Sequence, residues 1–162
     1  MKVSCDTIKE NLRKNGIIWN EDNIITIANY VPFKFEEDSG ILYISGQLSK
    51  DINNNIIQGI LGKGSCVKDG QFAAKLCAIQ LLFVLNNFLF QNALFVQSIL
   101  QLSVFVSSAP DFDKHHLVAN GASDFLCEIM GPEAKHSRCA VGVSSLPLSA
   151  AVEASAIFKV IK

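Results

Sequence analysis

The run from Phe72 to Phe90 constrains this chain more than any other part of it. Lys75 is its only charged residue, and Leu76, Ile79, Leu81, Leu82, Phe83, Val84, Leu85, Phe88 and Leu89 make it apolar on every side. It is far longer than an ordinary strand, so it reads as helix. A helix without a polar stripe either crosses a membrane or is sheathed by protein. A span needs roughly 20 mostly apolar residues, and here Lys75, Gln80, Asn86 and Asn87 break the run. The expectation is a buried helix lying against a sheet, with no membrane partner.

The 162 residues suit one domain, and residues 1–162 show no linker and no repeat of fixed period. With 49% hydrophobic and only 18% charged residues, there is more apolar surface than one small domain hides, which points to a subunit interface. A net charge of -1 offers no field of one sign to hold a polyanion, so nucleic acid is not an expected partner. Met1-Lys2-Val3-Ser4-Cys5-Asp6 turns polar at once, unlike a secretory leader. Cys5, Cys66, Cys77, Cys127 and Cys139 form an odd set without a Cys-x-x-Cys pair, as in a reducing compartment. Both features predict a cytoplasmic protein.

Thr7-Ile8-Lys9-Glu10 has capping-box spacing and Gly16 can end the turn, so residues 1–18 should carry a short helical extension. Trp19 to Tyr30, rich in isoleucine, reads as a strand that Pro32 limits. Ile41 to Ser45 follows the turn signal Asp38-Ser39-Gly40 and ends at Gly46, which puts Ser45 where a strand leaves the sheet. Asp51 to Asn55 is a turn, and Gly59 to Gly64 a glycine-rich loop leading to the long helix, with Ser65 as its cap. Ser98 to Val106 reads as a buried strand, Lys114 to Met130 as a helix stopped by Gly131-Pro132, and Arg138 to Ser144 and Ala150 to Ile161 as two further strands. This order describes an α+β domain, a mixed sheet with helices on one face.

Several motifs carry little chemistry. Gly59-Ile60-Leu61-Gly62-Lys63-Gly64-Ser65 has Gly64 where a phosphate loop needs a hydroxyl for magnesium, so it is a turn. His115, His116 and His136 lack the spacing of a metal site, and no metal is expected. Cys139 and His136 do not share a strand face, which argues against a thiol nucleophile. Arg138 and Glu153 are more informative. Alternation places Arg138, Ala140, Gly142 and Ser144 on one face, lined by small residues that leave room for a carboxylate on a fixed guanidinium. Glu153 stands between Val152 and Ala154, where a carboxyl needs a partner or a raised pKa. A plain structural ion pair between the two remains the alternative.

The block Ser137-Arg138-Cys139-Ala140-Val141-Gly142-Val143-Ser144-Ser145-Leu146-Pro147, followed by Val152-Glu153-Ala154, resembles the C-terminal signature of the RidA (YjgF-like, L-PSP) family. The resemblance extends through Ile41 to Gln47, the long helix, Val104-Phe105-Val106 and Asn120, and covers nearly everything after about Asn29. It implies a chorismate-mutase-like fold, a mixed sheet backed by two helices, in a homotrimer whose sheets enclose a central barrel with clefts between subunits. It implies hydrolysis of reactive 2-enamines and 2-imines to 2-oxo acids and ammonia, without a cofactor. Arg138 would grip the substrate carboxylate, Ser45 would bond near the imine, Glu153 would position or activate water, and Tyr30, Asn120 and the backbone of Ala140 would shape the pocket. The rivals are a non-catalytic trimer that binds small carboxylates or acts as a chaperone surface, and the endoribonuclease of the L-PSP label. Gly142 departs from the family pattern, where a larger, often acidic residue is common, and the segment from Val31 to Gly40 is slightly longer.

Overall fold

A computed structural model describes residues 2–18 and 28–162. The chain runs α1 (Cys5–Lys14), β1 (Phe33–Glu36), β2 (Ile41–Leu48), β3 (Ile60–Leu61), β4 (Gly64–Ser65), α2 (Val67–Asn92), β5 (Phe95–Ser107), α3 (His115–Met130), β6 (Ser137–Val143) and β7 (Val152–Ile161). Among the described residues, five strands form one sheet in the order β1-β2-β7-β5-β6. All its pairings are antiparallel except β5 with β6, which α3 links as a parallel crossover. The α+β architecture expected from the pattern of elements is the one observed.

The long apolar run is α2, and 83% of its most apolar window is buried inside the fold. It lies across β7, β2 and β5, with α3 beside it over β5 and β6, and α1 packed on both helices. Its polar interruptions each meet a different fate. Lys75 stands 4.7 Å over the Phe125 ring, Gln80 donates to the Lys50 carbonyl at 3.0 Å, and Asn87 accepts from Gln91 at 3.2 Å. Asn86 is wholly buried with neither amide atom bonded among the described residues, a cost of about 1–3 kcal/mol per group. Helix–helix approach depends on Gly121, where a Cβ would come within 2.0 Å of the Gln71 carbonyl oxygen.

Strand alternation divides the sheet into a covered and an open face. Val152, Ala154, Ala156, Phe158 and Val160 of β7 are buried, while Glu153, Ser155, Ile157, Lys159 and Ile161 between them are partly exposed. The register carries this through the sheet: Leu102, Val104 and Val106 share the helix side with Ala156, Ala154 and Val152, and Phe105 shares the open side with Glu153. Tyr43 and Val141, 42% and 44% exposed, also belong to the open face through their pairing with Ile157 and Phe105.

Several local expectations change. The cap of α1 is Ser4, whose Oγ accepts from the Thr7 amide at 3.1 Å; Glu10 is drawn instead to Lys14 at 2.9 Å. The expected strand from Trp19 to Tyr30 falls mostly outside the described residues, and Ala28 to Tyr30 form a bend. The strand that opens the sheet is β1, whose alternating Phe33 and Phe35 pack on Phe88 with ring centroids 5.1 and 4.9 Å away. β2 does not stop at Ser45. It continues to Leu48 through a register shift between Ile44 and Gln47, a bulge that glycine at 46 favours. The helix α2 is capped by Cys66, whose amide donates to Asp69 at 2.8 Å, not by Ser65. In the glycine-rich loop the amides of Gly62 and Lys63 donate to the Ser65 and Ile60 carbonyls, which leaves them no part in a phosphate cradle.

Candidate functional site

Among the described residues β6 is an edge strand, bonded to β5 alone. The amide of Ser108 donates to the Val143 carbonyl, so odd-numbered residues of β6 turn their N–H and C=O groups toward β5. By alternation, the backbone groups of Arg138, Ala140 and Gly142 point out along the free edge. Their side chains share the helix face, opposite Leu102, Val104 and Val106. The Arg138 side chain therefore rises against α3. Nη1 donates to Asn120 Oδ1 and Ser123 Oγ, both at 3.0 Å, and Nη2 donates to the His116 carbonyl at 3.0 Å. Three of its five N–H donors are used among the described residues, all on neutral acceptors.

Ser123 is held in turn. His136 Nδ1 lies 2.8 Å from the Ala134 carbonyl, which accepts only, so Nδ1 carries the hydrogen. In the neutral ring, Nε2 then accepts the Ser123 hydroxyl at 3.0 Å, and Ser123 Oγ keeps a lone pair for the guanidinium. Polar side chains at Asn120 and Ser123, one turn apart on α3, thus fix the direction of a strand residue.

A second cluster surrounds the bulge in β2. The Ser45 hydroxyl donates to the Val31 carbonyl at 2.7 Å, and its amide donates to the Pro32 carbonyl at 3.0 Å. Glu153, on β7 beside Leu48, lays its carboxyl over Gly46. A Cβ there would sit 1.9 Å from Glu153 Oε1, so glycine is what admits the acid. Burial pushes the Glu153 carboxyl above its usual range. Ala28, Tyr30, Ser45, Gly46, Leu48, Pro147 and Glu153 line an open hollow of about 440 Å³. Tyr30, Gly46 and Leu48 also border a smaller space reached by Lys50, Ile56 and Leu148. Leu148 projects there from a left-handed backbone, φ 56°, an uncommon conformation outside glycine that recurs where side chains are aimed for function.

The two clusters lie on opposite faces of one sheet, which removes a structural Arg138–Glu153 ion pair. Residues 20–160 match the family described as Endoribonuclease L-PSP. The chain belongs to that family. A Trypanosoma cruzi relative, Protein TCP17, is 41% identical over 132 residues, 80% of each chain. Among solved structures, Atu1372 of Agrobacterium tumefaciens, a protein of unknown function, superposes with a TM-score of 0.84 at 34% identity, over 97% of this chain and 96% of its own. E. coli TdcF with bound serine shares the fold, with a TM-score of 0.56 at 20% identity over 83% of this chain and 90% of its own.

Of the site residues named from the L-PSP signature, Arg138, Asn120 and Ala140 meet on the α3 side of β6, and Tyr30, Ser45 and Glu153 meet at the β2 bulge. Within one chain the two triplets do not meet. Sequence reasoning passed over Ser123, His136 and the His116 carbonyl. The signal for Ser123 was present, since it stands one helical turn after Asn120 on a face that must look at β6. His136 had no such signal, because its role depends on the turn at Pro132–Ala134 that folds it back to α3.

Proposed function

We propose that this L-PSP family protein hydrolyses reactive 2-enamines and 2-imines to 2-oxo acids and ammonia, in clefts that two copies of the chain build together. The observation that carries the reading is Arg138. It is a guanidinium fixed by three neutral acceptors, with no acidic partner among the described residues, beside a strand edge whose Ala140 amide is unpaired in the sheet. A planar carboxylate supplies the missing countercharge through paired N–H donors, and on this reading the Ala140 N–H donates to the developing oxygen.

The second half completes the chemistry. Ser45 has given its hydrogen to Val31, so its oxygen is left to accept from an imine N–H. Glu153 can take a proton from water as the water adds to the imine carbon and pass it to the nitrogen, then carry the carbinol hydroxyl's proton to the same nitrogen as the C–N bond breaks, the C=O forms and ammonia leaves. One water is consumed, one C=O replaces one C=N, and no electrons change hands, so no cofactor is called for. Orientation of water and imine supplies much of the acceleration. The exposed Tyr43 and Val141 on the open face support a homotrimer packed through its sheets, which brings the bulge of one copy toward the Arg138 edge of the next. We place the protein in the cytoplasm, where such imines arise.

The endoribonuclease in the family description is the rival, and the net charge of -1 speaks against a polyanionic substrate. The test is to mix the purified oligomer with freshly generated 2-aminoacrylate and follow pyruvate and ammonia. Acceleration over buffer is expected; none from a folded oligomer would reject the reading.

A further inference from the structure

Past Ala140, the same face of β6 opens into another hollow. Gly142 lies opposite Val106, and over it stand Ser108 and His115, joined Oγ to Nε2 at 2.9 Å. A Cβ on Gly142 would lie 2.4 Å from that Nε2 and 2.6 Å from that Oγ. The pair therefore rests on bare backbone, and any other residue would displace it. Phe112 meets the imidazole edge-on, centroids 5.1 Å apart at 84°, which fixes the ring plane. With Pro110, Val143 and Ser144 these residues border an open cavity of about 340 Å³.

We infer that this hollow receives the far end of the substrate side chain, and that it selects imines of five-carbon amino acids ending in a carboxylate or carboxamide. The inference rests on the reading above, with Arg138 as the carboxylate anchor. Arg138, Ala140 and Gly142 follow one another on a single face, about 6.6 Å apart. α3 runs back along them, with His115 over Gly142 and Asn120 bonded to Arg138. From the level of Asn120 to that of His115 is about 7.5 Å of helix. Four carbon–carbon bonds, foreshortened by their zigzag to about 5 Å, with a hydrogen bond of about 3 Å at each end reach about 11 Å, between that helix figure and the roughly 13 Å that two strand steps put between Arg138 and Gly142. A three-carbon imine stops short.

The end group must be polar because of what waits for it. When Nε2 of His115 carries the hydrogen, it donates to Ser108 and frees the hydroxyl hydrogen to point outward; in the other tautomer, the Ser108 oxygen keeps lone pairs for an amide N–H. An apolar end would cover the Ser108 hydroxyl and leave its remaining hydrogen or lone pair without a partner, which costs about 1–3 kcal/mol, roughly 5- to 150-fold in affinity.

Calorimetric binding of 2-oxoglutarate, 2-oxopentanoate and pyruvate to the oligomer tests this. The wild-type protein should bind 2-oxoglutarate at least about tenfold more tightly than 2-oxopentanoate. Ser108→Ala, or Gly142→Ala if the first variant folds poorly, should bring that ratio close to one. Equal affinities in the wild type, or a preference that survives both variants, would overturn the inference while Arg138-dependent pyruvate binding still supported the anchor. Binding of none of the three acids would overturn the anchor and the inference with it.

Discussion

The Arg138 cluster and the Glu153 cluster each present one ionisable group without a countercharge among the described residues, but they hold it in opposite ways. Arg138 is fixed by three hydrogen bonds at 3.0 Å, and its acceptor Ser123 is itself held by His136. Glu153 lies on the bare backbone of Gly46, with burial raising its pKa. A guanidinium does not lose its charge at any accessible pH, so fixing it makes an anchor. A carboxyl whose charged form is disfavoured is ready to exchange a proton. The difference assigns one half of the site to binding and the other to chemistry.

If that division holds, Glu153→Gln gives the largest loss, a fall in kcat of about 10²–10⁴ with little change in KM, since it removes the proton acceptor alone. Arg138→Ala should cost about 2–5 kcal/mol in kcat/KM, mostly through KM. Arg138→Lys should not restore it, because an ammonium cannot keep three acceptors in one plane and still fork a carboxylate. Equal effects of both variants on kcat and KM would erase the distinction. Ser123→Ala removes one of the three supports and should raise KM roughly five- to tenfold, about 1 kcal/mol, with kcat nearly unchanged.

The smallest effect is on stability. The folded chain keeps the Glu153 proton over a pH range in which the unfolded chain has lost it. That contribution is fully present below the ordinary carboxylate range, about pH 4, and is lost as pH rises through the raised value. Denaturant titrations of Glu153→Gln should therefore match wild type in acid and exceed it near neutrality. The opposite trend would mean that a cation faces the carboxylate.

Most of the fold was legible because its signals are local. The Phe72–Phe90 run, the Gly131 stop and the alternation around Glu153 each survive as α2, the end of α3 and β7. What escaped depended on contacts distant in sequence. β1 is only four residues, and its phenylalanines matter because Phe88 lies under them. Ser45 reads as a strand end until Val31 and Pro32 are seen to tie it into a bulge. Arg138 and Glu153 could be named from the signature, but periodicity within each strand cannot say that their faces are opposite. That follows from the register through β5, which pairs Leu102 with Arg138 and Phe105 with Glu153, and no single strand encodes it.

The central claim is that one cleft takes its anchor from one copy and its acid from another. Co-refolding Arg138→Ala and Glu153→Gln chains in equal amounts tests it directly, each variant being nearly inactive alone at substrate concentrations below the wild-type KM. Random mixing gives about a quarter of clefts both native groups, so activity should return to roughly a quarter of the wild-type value. Mixed oligomers that form, as shown by mass, yet stay as inactive as either parent would contradict it.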